Sequence, residues 1–464
     1  MIDNNELNLN GGKDNFIKTA VSLAVPIALQ NLLTSCASIV DTAMIVSLSN
    51  DATAAMGLAS RFAFMLNLIA FGFCSGIASL LSQYHGAGQK KNCARTYGLG
   101  LTLSMTIAIV YAVLLALFPS ELISLFKRDS IEVLTLGAGY LRLFAIGVPA
   151  VMFTQITCAS LRATERVYIP LAASLAGVAV NIFFNWCLIF GHLGFPRLGL
   201  NGAAVATVIS CYAQALIVLV AFFITKNEIR AGLGCYLNVD APFLKKYFKV
   251  SMPVLLNETM WGLGTNIYVI VLAGLGTENY AGYTVYETVQ QLFFVFFVGI
   301  SHACSIMVGK KMGEGLNDTA FKYAKRFLIL TPALGLVMGM IILAVRNPIL
   351  SLMPIETEAA RTVASTILML YGMWLPVRMI PYTAICGIFR AGGDTRTGCI
   401  YEIIAMYIIG IPMVFLFGFG LRIDYCLIVL VMYIAEDTPK AIMALIHFFR
   451  KKWMFNLASG RTEP

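Results

Sequence analysis

The chain has 464 residues, of which 59% are hydrophobic and only 12% are charged. This composition excludes an ordinary soluble globular protein and is typical of an integral membrane protein. The formal net charge of +9 does not indicate nucleic-acid binding, because the basic residues lie mainly in short loops between apolar runs, where membrane topology accounts for them.

Apolar runs of about twenty residues, long enough to cross a hydrocarbon core about 30 Å thick, follow one another along the whole chain. Unbroken runs of this length exclude the short alternating strands of a membrane β-barrel. The sequence therefore predicts an all-α integral membrane protein with twelve transmembrane helices. The predicted spans are 17–46, 54–83, 96–118, 134–159, 169–190, 202–225, 247–273, 281–309, 322–345, 362–387, 396–418 and 425–449.

The first span contains an acidic residue, Asp41. A charge at membrane depth costs roughly 2.5–3.5 kcal/mol on insertion scales, so such a residue is expected to face a bundle interior or a water-filled cavity. Helical spacing places Asn31, Thr34 and Ser38 on the same stripe as Asp41, and we assign these three residues to a substrate cavity. Pro26, in the same span, removes a backbone hydrogen bond and predicts a hinge.

The second half of the chain repeats the first. The matching pairs, each 227 residues apart, are Pro26 and Pro253, Gly86 and Gly313, Gly88 and Gly315, and Pro149 and Pro376. Arg162, near the end of the fourth span, matches Arg390 at an offset of 228. Each repeat holds six spans, so the two six-helix bundles share one orientation and are expected to be related by a pseudo-twofold axis along the membrane normal. We predict a first bundle over residues 1–225, a cytoplasmic linker over 226–249, and a second bundle with a short cytoplasmic tail over 250–464.

Lysines and arginines are distributed unequally between the two sides of the membrane. If the N-terminus is cytoplasmic, the loops on that side carry more than three times as many of them as the loops on the other side. The positive-inside rule then predicts a multi-pass protein of the plasma membrane with both termini in the cytoplasm.

Local motifs for catalysis are missing from the sequence. It contains no phosphate-binding loop, zinc-protease motif, nucleophile elbow or dinucleotide fingerprint, so neither an enzyme nor an ATP-driven pump is expected. The eleven cysteines form no Cys-x-x-Cys pair and most lie in apolar runs, so we predict neither a disulfide framework nor a metal site. No cofactor is expected.

Two asparagines of the fifth span, Asn181 and Asn185, lie four residues apart and share a helix face. Together with Asp41 they could form a proton or ion site in the first half. The alternative is that the two amides only hold neighbouring helices together.

The second half offers charged residues of its own. Glu258 in span seven, Glu287 in span eight and Arg378 in span ten are assigned to the substrate cavity. Arg378 is expected to neutralise one of these glutamates or Glu402 of span eleven, although such a pair can be purely structural. In span twelve, three charged residues between 436 and 440 are close enough along one helix to satisfy one another.

The chain resembles the multidrug and toxic compound extrusion (MATE) family of secondary transporters along all twelve spans. The resemblance rests on Pro26 with Gln30-Asn31 and Asp41, Gln83-Tyr-His-Gly-Ala-Gly88, Ser160-Leu-Arg162-Ala-Thr, Asn181-Ile-Phe-Phe-Asn185, and the stretch Leu193-Gly-Phe-Pro-Arg-Leu-Gly199 with Gly202-Ala-Ala-Val-Ala-Thr207. It implies two six-helix bundles that form a V-shaped cavity. It also implies export of organic cations or other amphipathic compounds in exchange for protons or sodium ions.

The resemblance also assigns roles to residues. In many prokaryotic relatives the aspartate of the first span, here Asp41, couples the ion, and Asn181 and Asn185 match the polar positions nearby. Other members use a tyrosine of span ten followed four residues later by an aspartate. Tyr371 matches that tyrosine and is assigned to the cavity, but Leu375 replaces the aspartate. A coupling site in the first half is therefore the prediction.

These observations predict an ion-coupled antiporter that works by alternating access. Its expected partners are small amphipathic and cationic substrates and the membrane lipid, with no nucleic acid, and a monomer is expected. The nearest alternative is a flippase for lipid-linked oligosaccharides built on a related fold, which would favour a basic cavity where the first half offers an acid. A channel, a receptor and a membrane enzyme fit the repeat and its intramembrane acids less well.

Overall fold

A computed structural model describes residues 15–126, 130–225, 227–230, 240–353, 355 and 357–459. The regular elements in these residues are helices, apart from one isolated bridge between Gly393 and Met454. The long helices of the first half are α1 (Phe16–Val46), α2 (Asn50–Gly86), α3 (Lys90–Leu117), α4 (Ile131–Ala163), α5 (Tyr168–Phe190) and α6 (Leu200–Ile224). Those of the second half are α7 (Ala241–Gly274), α8 (Thr277–Gly313), α9 (Asn317–Leu352), α10 (Glu358–Phe389), α11 (Thr395–Gly420) and α12 (Tyr425–Phe449).

Ten of these helices are long and apolar enough to cross a membrane. The other two, α7 and α12, have comparable lengths but carry more polar residues, among them Glu258 on α7 and Lys440 on α12. These charges are buried or half-buried rather than exposed on the surface. The prediction of an all-α membrane protein with twelve long helices is confirmed. The predicted domain boundaries stay a prediction, and residues 226 and 231–239 of the predicted linker lie outside the described residues.

The two halves meet through a reciprocal backbone contact. A Cβ atom on Gly86 would collide with the carbonyl oxygen of Lys310, and a Cβ atom on Gly313 would collide with the carbonyl oxygen of Gln83. The two contacts are equivalent under the repeat. Gly313 lies 227 residues after Gly86, and Lys310 lies 227 residues after Gln83. A twofold axis requires this kind of self-complementary contact, so the predicted pseudo-twofold relation is confirmed. Glycine is needed at both positions because the helices touch there through their backbones.

The halves are in close contact at one end of the molecule and diverge toward the other. In the first half α1 and α2 pack against α7 and α8 of the second. The tight contacts lie toward the ends of α2 and α8, where Gly76 also meets Ser251, and at the start of α1, where Ala24 and Ala28 meet Gly299. By contrast, none of residues 31–44 of α1 is buried. The cleft between the halves therefore opens away from the end at which α1 begins and α12 ends.

A short segment after α12, residues 453–459, folds back across the closed end. Trp453 is fully buried, and Leu457 is buried in the core of the first half. The backbone N–H of Leu457 donates to Gln83 Oε1 at 2.6 Å, and Gln83 Nε2 donates to the carbonyl oxygen of Ala391 at 2.7 Å. This segment thus connects α2 of the first half with the turn between α10 and α11 of the second.

Replacement of Trp453 by alanine tests the contribution of this segment. The indole stacks on Phe448 at 5.9 Å and is fully buried, so its loss is expected to lower the free energy of unfolding by about 3–5 kcal/mol. Thermal melting of the detergent-solubilised protein measures the effect. The control is Phe449→Ala, which removes an exposed ring at the end of α12. Equal melting temperatures for the two variants would show that the segment does not stabilise the closed end.

Candidate functional site

Asp41, the acidic residue of the first span, is held by a neighbouring helix. The side-chain nitrogen of Asn185 on α5 donates to Asp41 Oδ1 at 2.5 Å and to Asn181 Oδ1 at 3.2 Å. Asn181 and Asn185 lie one turn apart, so a single face of α5 presents both amides. The structure thus brings together the three residues that the sequence predicts as the coupling site.

The environment of this cluster favours binding of a small cation or a proton. Asp41 is half-buried, whereas Asn181 and Asn185 are buried. In the part of the chain that the structure describes, Asn185 Oδ1 is buried without a hydrogen-bond partner. A buried acceptor left unpaired costs about 1–3 kcal/mol, which a bound ligand can recover. Carboxylate and amide oxygens are ligands that hard cations accept, and the same oxygens can share a proton.

Two further residues of this region, Tyr140 and Thr207, were not predicted. Tyr140 on α4 lies near both Asp41 and Thr207 of α6. A sequence signal for Thr207 was present, because Thr207 ends the motif that begins at Gly202. Tyr140 lies in an ordinary apolar span and gave none. The Asp41 site is therefore built from α1, α4, α5 and α6 together.

In the described contacts, the polar stripe of α1 (Asn31, Thr34 and Ser38) does not hydrogen-bond to Asp41. Thr34 and Ser38 are exposed and Asn31 is half-buried. The hydroxyl of Thr34 donates to the carbonyl oxygen of Gln30 in its own helix at 3.0 Å. Among the described contacts, the hydrogen-bond partner of Asp41 comes from α5 and not from this stripe. The exposure of Thr34 and Ser38 is consistent with the predicted place on the cleft.

In the second half, Glu258 is neutralised by a different arginine from the predicted one. Arg390 Nη2 donates to Glu258 Oε1 at 2.5 Å, and Arg390 is 5% exposed. Arg390 Nη1 lies 3.4 Å from the hydroxyl of Ser75 on α2, so this ion pair sits at the boundary between the halves. The prediction that Arg378 neutralises one of the glutamates is wrong for Glu258. The repeat contained the signal for Arg390, since it matches Arg162.

Arg378 lies among aromatic rings and other carboxylates. Its guanidinium is 5.8 Å from the centroid of the Tyr433 ring, and the carboxylate charges that act on it most strongly are those of Asp437 and Glu436. Tyr371 belongs to the same cluster and is fully buried. Both residues lie in the second bundle, where Tyr371 is fully buried and Arg378 is half-buried, and their assignment to a substrate cavity stays a prediction.

Glu287, the third predicted cavity residue of the second half, is half-buried on α8. Within the described residues it has no ion pair, and Tyr283 and Tyr425 lie within electrostatic range of it. It does not join Glu258, which lies on α7 and pairs with Arg390. The structure thus leaves Glu287 as a separate carboxyl and does not place it in a second cation site.

A buried ion network connects α11 and α12. Lys440 Nζ donates to Glu402 Oε1 at 2.6 Å and to Glu436 Oε1 at 2.7 Å, while the indole nitrogen of Trp374 donates to Asp437 Oδ2 at 3.0 Å. The contact between Glu436 and Lys440 along one helix was predicted, and the contribution of Glu402 was not. Each of these charges has a partner, as burial in a membrane protein requires.

A second set of charges lies at the closed end. Glu165, in the turn between α4 and α5, accepts a hydrogen bond from Lys310 of α8 at 2.7 Å and lies 3.8 Å from His85 of α2. Burial raises the pKa of Glu165, but the contacts with His85 and Lys310 outweigh burial and lower that pKa to about 2. The Glu165–Lys310 pair joins the two halves across the closed end.

The lowered pKa of Glu165 predicts an acid-sensitive contact. A carboxylate whose pKa falls from 4.5 to about 2 stabilises the closed end at any pH above 4.5, and this stabilisation is lost as the pH falls toward 2. At neutral pH the charged hydrogen bond is expected to contribute about 1.5–3 kcal/mol. The melting temperature of wild type should therefore exceed that of Glu165→Gln at pH 7. The difference between the two melting temperatures should narrow between pH 4.5 and 3.

The control for this experiment is Glu121→Gln, at an exposed position in the short helix Pro119–Ser124. Its melting temperature should follow that of wild type at each pH. A difference between wild type and Glu165→Gln that stays the same from pH 7 to pH 3 would show that Glu165 is not ionised in this contact.

Two repeated six-helix halves around a cleft, with ion pairs at membrane depth near their boundary, define a polytopic membrane transporter. Comparison with known proteins gives the family. The MatE family model matches residues 26–187 and 253–416, and the chain belongs to this family. The resemblance drawn from the sequence motifs is confirmed, and the protein is a multi-pass transporter rather than an enzyme.

Relatives in sequence and structure extend over nearly the whole chain. The probable multidrug resistance protein NorM of Thermotoga maritima is 23% identical over 94% of this chain and 93% of its own length. The multidrug resistance protein MdtK of Pectobacterium atrosepticum is 24% identical over 84% and 85%. A solved multidrug resistance MATE family transporter in an outward-facing conformation superposes with a TM-score of 0.81 at 19% identity, over 94% of this chain and 96% of the other. At that identity the structural likeness establishes the fold alone.

Proposed function

We propose that this protein exports amphipathic organic cations in exchange for protons or sodium ions. The observation that carries the proposal is the contact between Asp41 and Asn185, a half-buried carboxylate beside a buried amide that has an unused acceptor. An ionisable residue at membrane depth marks a functional site by default. The multidrug resistance proteins among the relatives support a drug-like substrate class. They do not favour the oligosaccharide flippase.

The excess of lysine and arginine on one side supports a direction of transport. It predicts cytoplasmic termini, so the closed end, where α1 begins and residues 453–459 lie, faces the cytoplasm. The cleft then opens to the outside, and the half-buried Asp41 can take up an ion from external water. The cycle needs no second copy of the chain and no cofactor besides the coupling ion, and we propose a monomer in the plasma membrane as the working unit.

Ion binding changes the hydrogen bond between Asp41 and Asn185. The ionised carboxylate accepts a hydrogen bond from Asn185 Nδ2 at 2.5 Å. A protonated carboxyl becomes a donor and needs an acceptor, which Asn185 Oδ1 supplies once the amide rotates. A sodium ion would likewise draw on the carboxylate and amide oxygens. In either case the contact between α1 and α5 rearranges when the ion arrives.

Pro26 lets this local change reach the interface between the halves. The segment of α1 around Pro26 packs on α8 through Ala24 and Ala28, whereas the segment that carries Asp41 packs less tightly. The proline removes a backbone hydrogen bond and permits the two segments to bend relative to each other. An ion that binds one bend better than the other shifts their populations. Since coupling between sites is reciprocal, bound substrate must disfavour the bound ion.

The proposal is tested with purified protein in liposomes loaded with a fluorescent organic cation. An imposed proton gradient and, separately, a sodium gradient should show which ion drives transport in wild type. Asp41→Asn removes the ionisable group but keeps a side chain of the same size, so gradient-driven efflux is expected to fall about 5- to 150-fold, the range of typical coupling energies.

The matched control is Asp318→Asn, the same chemical change at an exposed position in the first turn of α9. Its efflux should equal that of wild type. Gradient-driven efflux that survives in Asp41→Asn would place ion coupling elsewhere in the chain. A wild-type protein that moves no organic cation under either gradient would overturn the proposal as a whole.

A further inference from the structure

The repeat gives the two halves equivalent arginines with unequal partners. Arg162 at the end of α4 donates from Nη1 to Gln30 Oε1 at 3.0 Å, and Arg390 at the end of α10 donates from Nη2 to Glu258 Oε1 at 2.5 Å. The arginines differ by 228 positions, and so do Gln30 and Glu258. The same contact between a fourth helix and a first helix is thus made twice, with an acid in the second half and an amide in the first.

Among the residues that the structure describes, this difference leaves Arg162 without a counterion. Arg390 is neutralised by Glu258. Arg162 is half-buried, and within the described residues no carboxylate lies within ion-pair distance of it. Glu165, the acid closest to it in the chain, is already held by Lys310 and His85. A half-buried charge in a membrane protein is costly unless water or a ligand compensates it.

The uncompensated charge lies at the boundary of the halves, on the inner side of their closed end. Gln30 is halfway along α1, in the helix that packs on α8. His302 of α8 feels the charges of both Arg162 and Arg390 and packs edge to face against Phe71 of α2, with ring centroids 6.2 Å apart. His302 lies eleven residues before the end of α8, which is about 16 Å along the helix axis. Arg162 therefore faces the bottom of the cleft and not the loops that seal it.

We propose that Arg162 is an anion-binding subsite of the transport pathway, with Gln30 beside it, and that the preferred substrates are amphipathic compounds that carry a carboxylate. The assignment rests on the proposed export function and narrows its substrate class. An arginine binds a carboxylate through two parallel N–H donors, and one of its N–H groups is already oriented by Gln30. Substrates with a carboxylate and a cationic centre satisfy both this subsite and the cation preference proposed above.

The test compares two forms of one dye. A rhodamine with a free carboxylate and the ethyl ester of the same rhodamine differ in that group alone. Binding to the full-length protein in phosphatidylcholine nanodiscs is measured by fluorescence anisotropy. Wild type should bind the carboxylate form more tightly than the ester. In Arg162→Gln the affinity for the carboxylate form should fall about ten- to a hundredfold, as expected for a lost charged hydrogen bond, while the affinity for the ester stays within about twofold.

Gln30→Glu is the sharper variant, because it gives Arg162 the neutralising partner that Arg390 already has. It should abolish the preference for the carboxylate form while thermal melting and ester binding remain at the wild-type level. Arg162→Lys keeps the charge and should keep the preference. Arg396→Gln, at an exposed position in the first turn of α11, is the control and should behave as wild type.

Three results would overturn the assignment. One is an equal loss of both dyes in Arg162→Gln, and another is an unchanged preference in Gln30→Glu. The third is loss of the preference in wild type when phosphatidylglycerol is added to the nanodiscs, which would identify the anion as a lipid headgroup. Failure of the export proposal is read separately, from gradient-driven efflux of the ester in liposomes. Binding without efflux would refute the export proposal and leave the subsite in place.

Discussion

The cost of a charge at membrane depth is the constraint on which this structure depends. Where carboxylates and cations are buried among the long helices, most of them are paired, and the pairs join different helices. Glu258 pairs with Arg390 between α7 and α10, and Lys440 joins α12 to α11 through Glu402. Removing one partner of such a pair leaves a buried charge, which costs more than the pair itself contributes. The ion pairs therefore fix which helices are neighbours and leave the few unpaired groups conspicuous.

The reciprocal glycine contact imposes a second constraint on the same helices. Gly86 and Gly313 let α2 and α8 touch through their backbones, so the closed end has no room for adjustment by side chains. The polar contacts that surround it, between Glu165 and Lys310 and between Gln83 and Ala391, cross the same boundary. An alternating-access cycle must break these contacts together. The close backbone contact at the two glycines, together with these hydrogen bonds and this ion pair, seals one end of the cleft.

The sequence was sufficient for the fold and for contacts within one helix. Apolar runs and a constant offset predicted twelve helices in two repeats, and residue spacing predicted the Glu436–Lys440 pair and the shared face of Asn181 and Asn185. It was not sufficient for partners on different helices. Arg378 and Arg390 both lie in or at the end of span ten, and the choice of Glu258 between them depends on how α7 and α10 are rotated against each other. Hydropathy does not encode that rotation.

Helix α1 combines the contacts that distinguish the first half from the second. Its first segment packs on α8. Gln30 accepts a hydrogen bond from Arg162, and Asp41 accepts one from Asn185 of α5. Its counterpart α7 carries Glu258 in place of Gln30. Glu258 forms an ion pair with Arg390, which neutralises both charges. The two repeats thus use their charged residues differently. The second half uses its charges to hold its helices together, and the first half keeps an acid and an arginine that are half-buried and incompletely compensated. A transporter needs such groups, because a charge that is fully satisfied within the protein has nothing to exchange with an ion or a substrate.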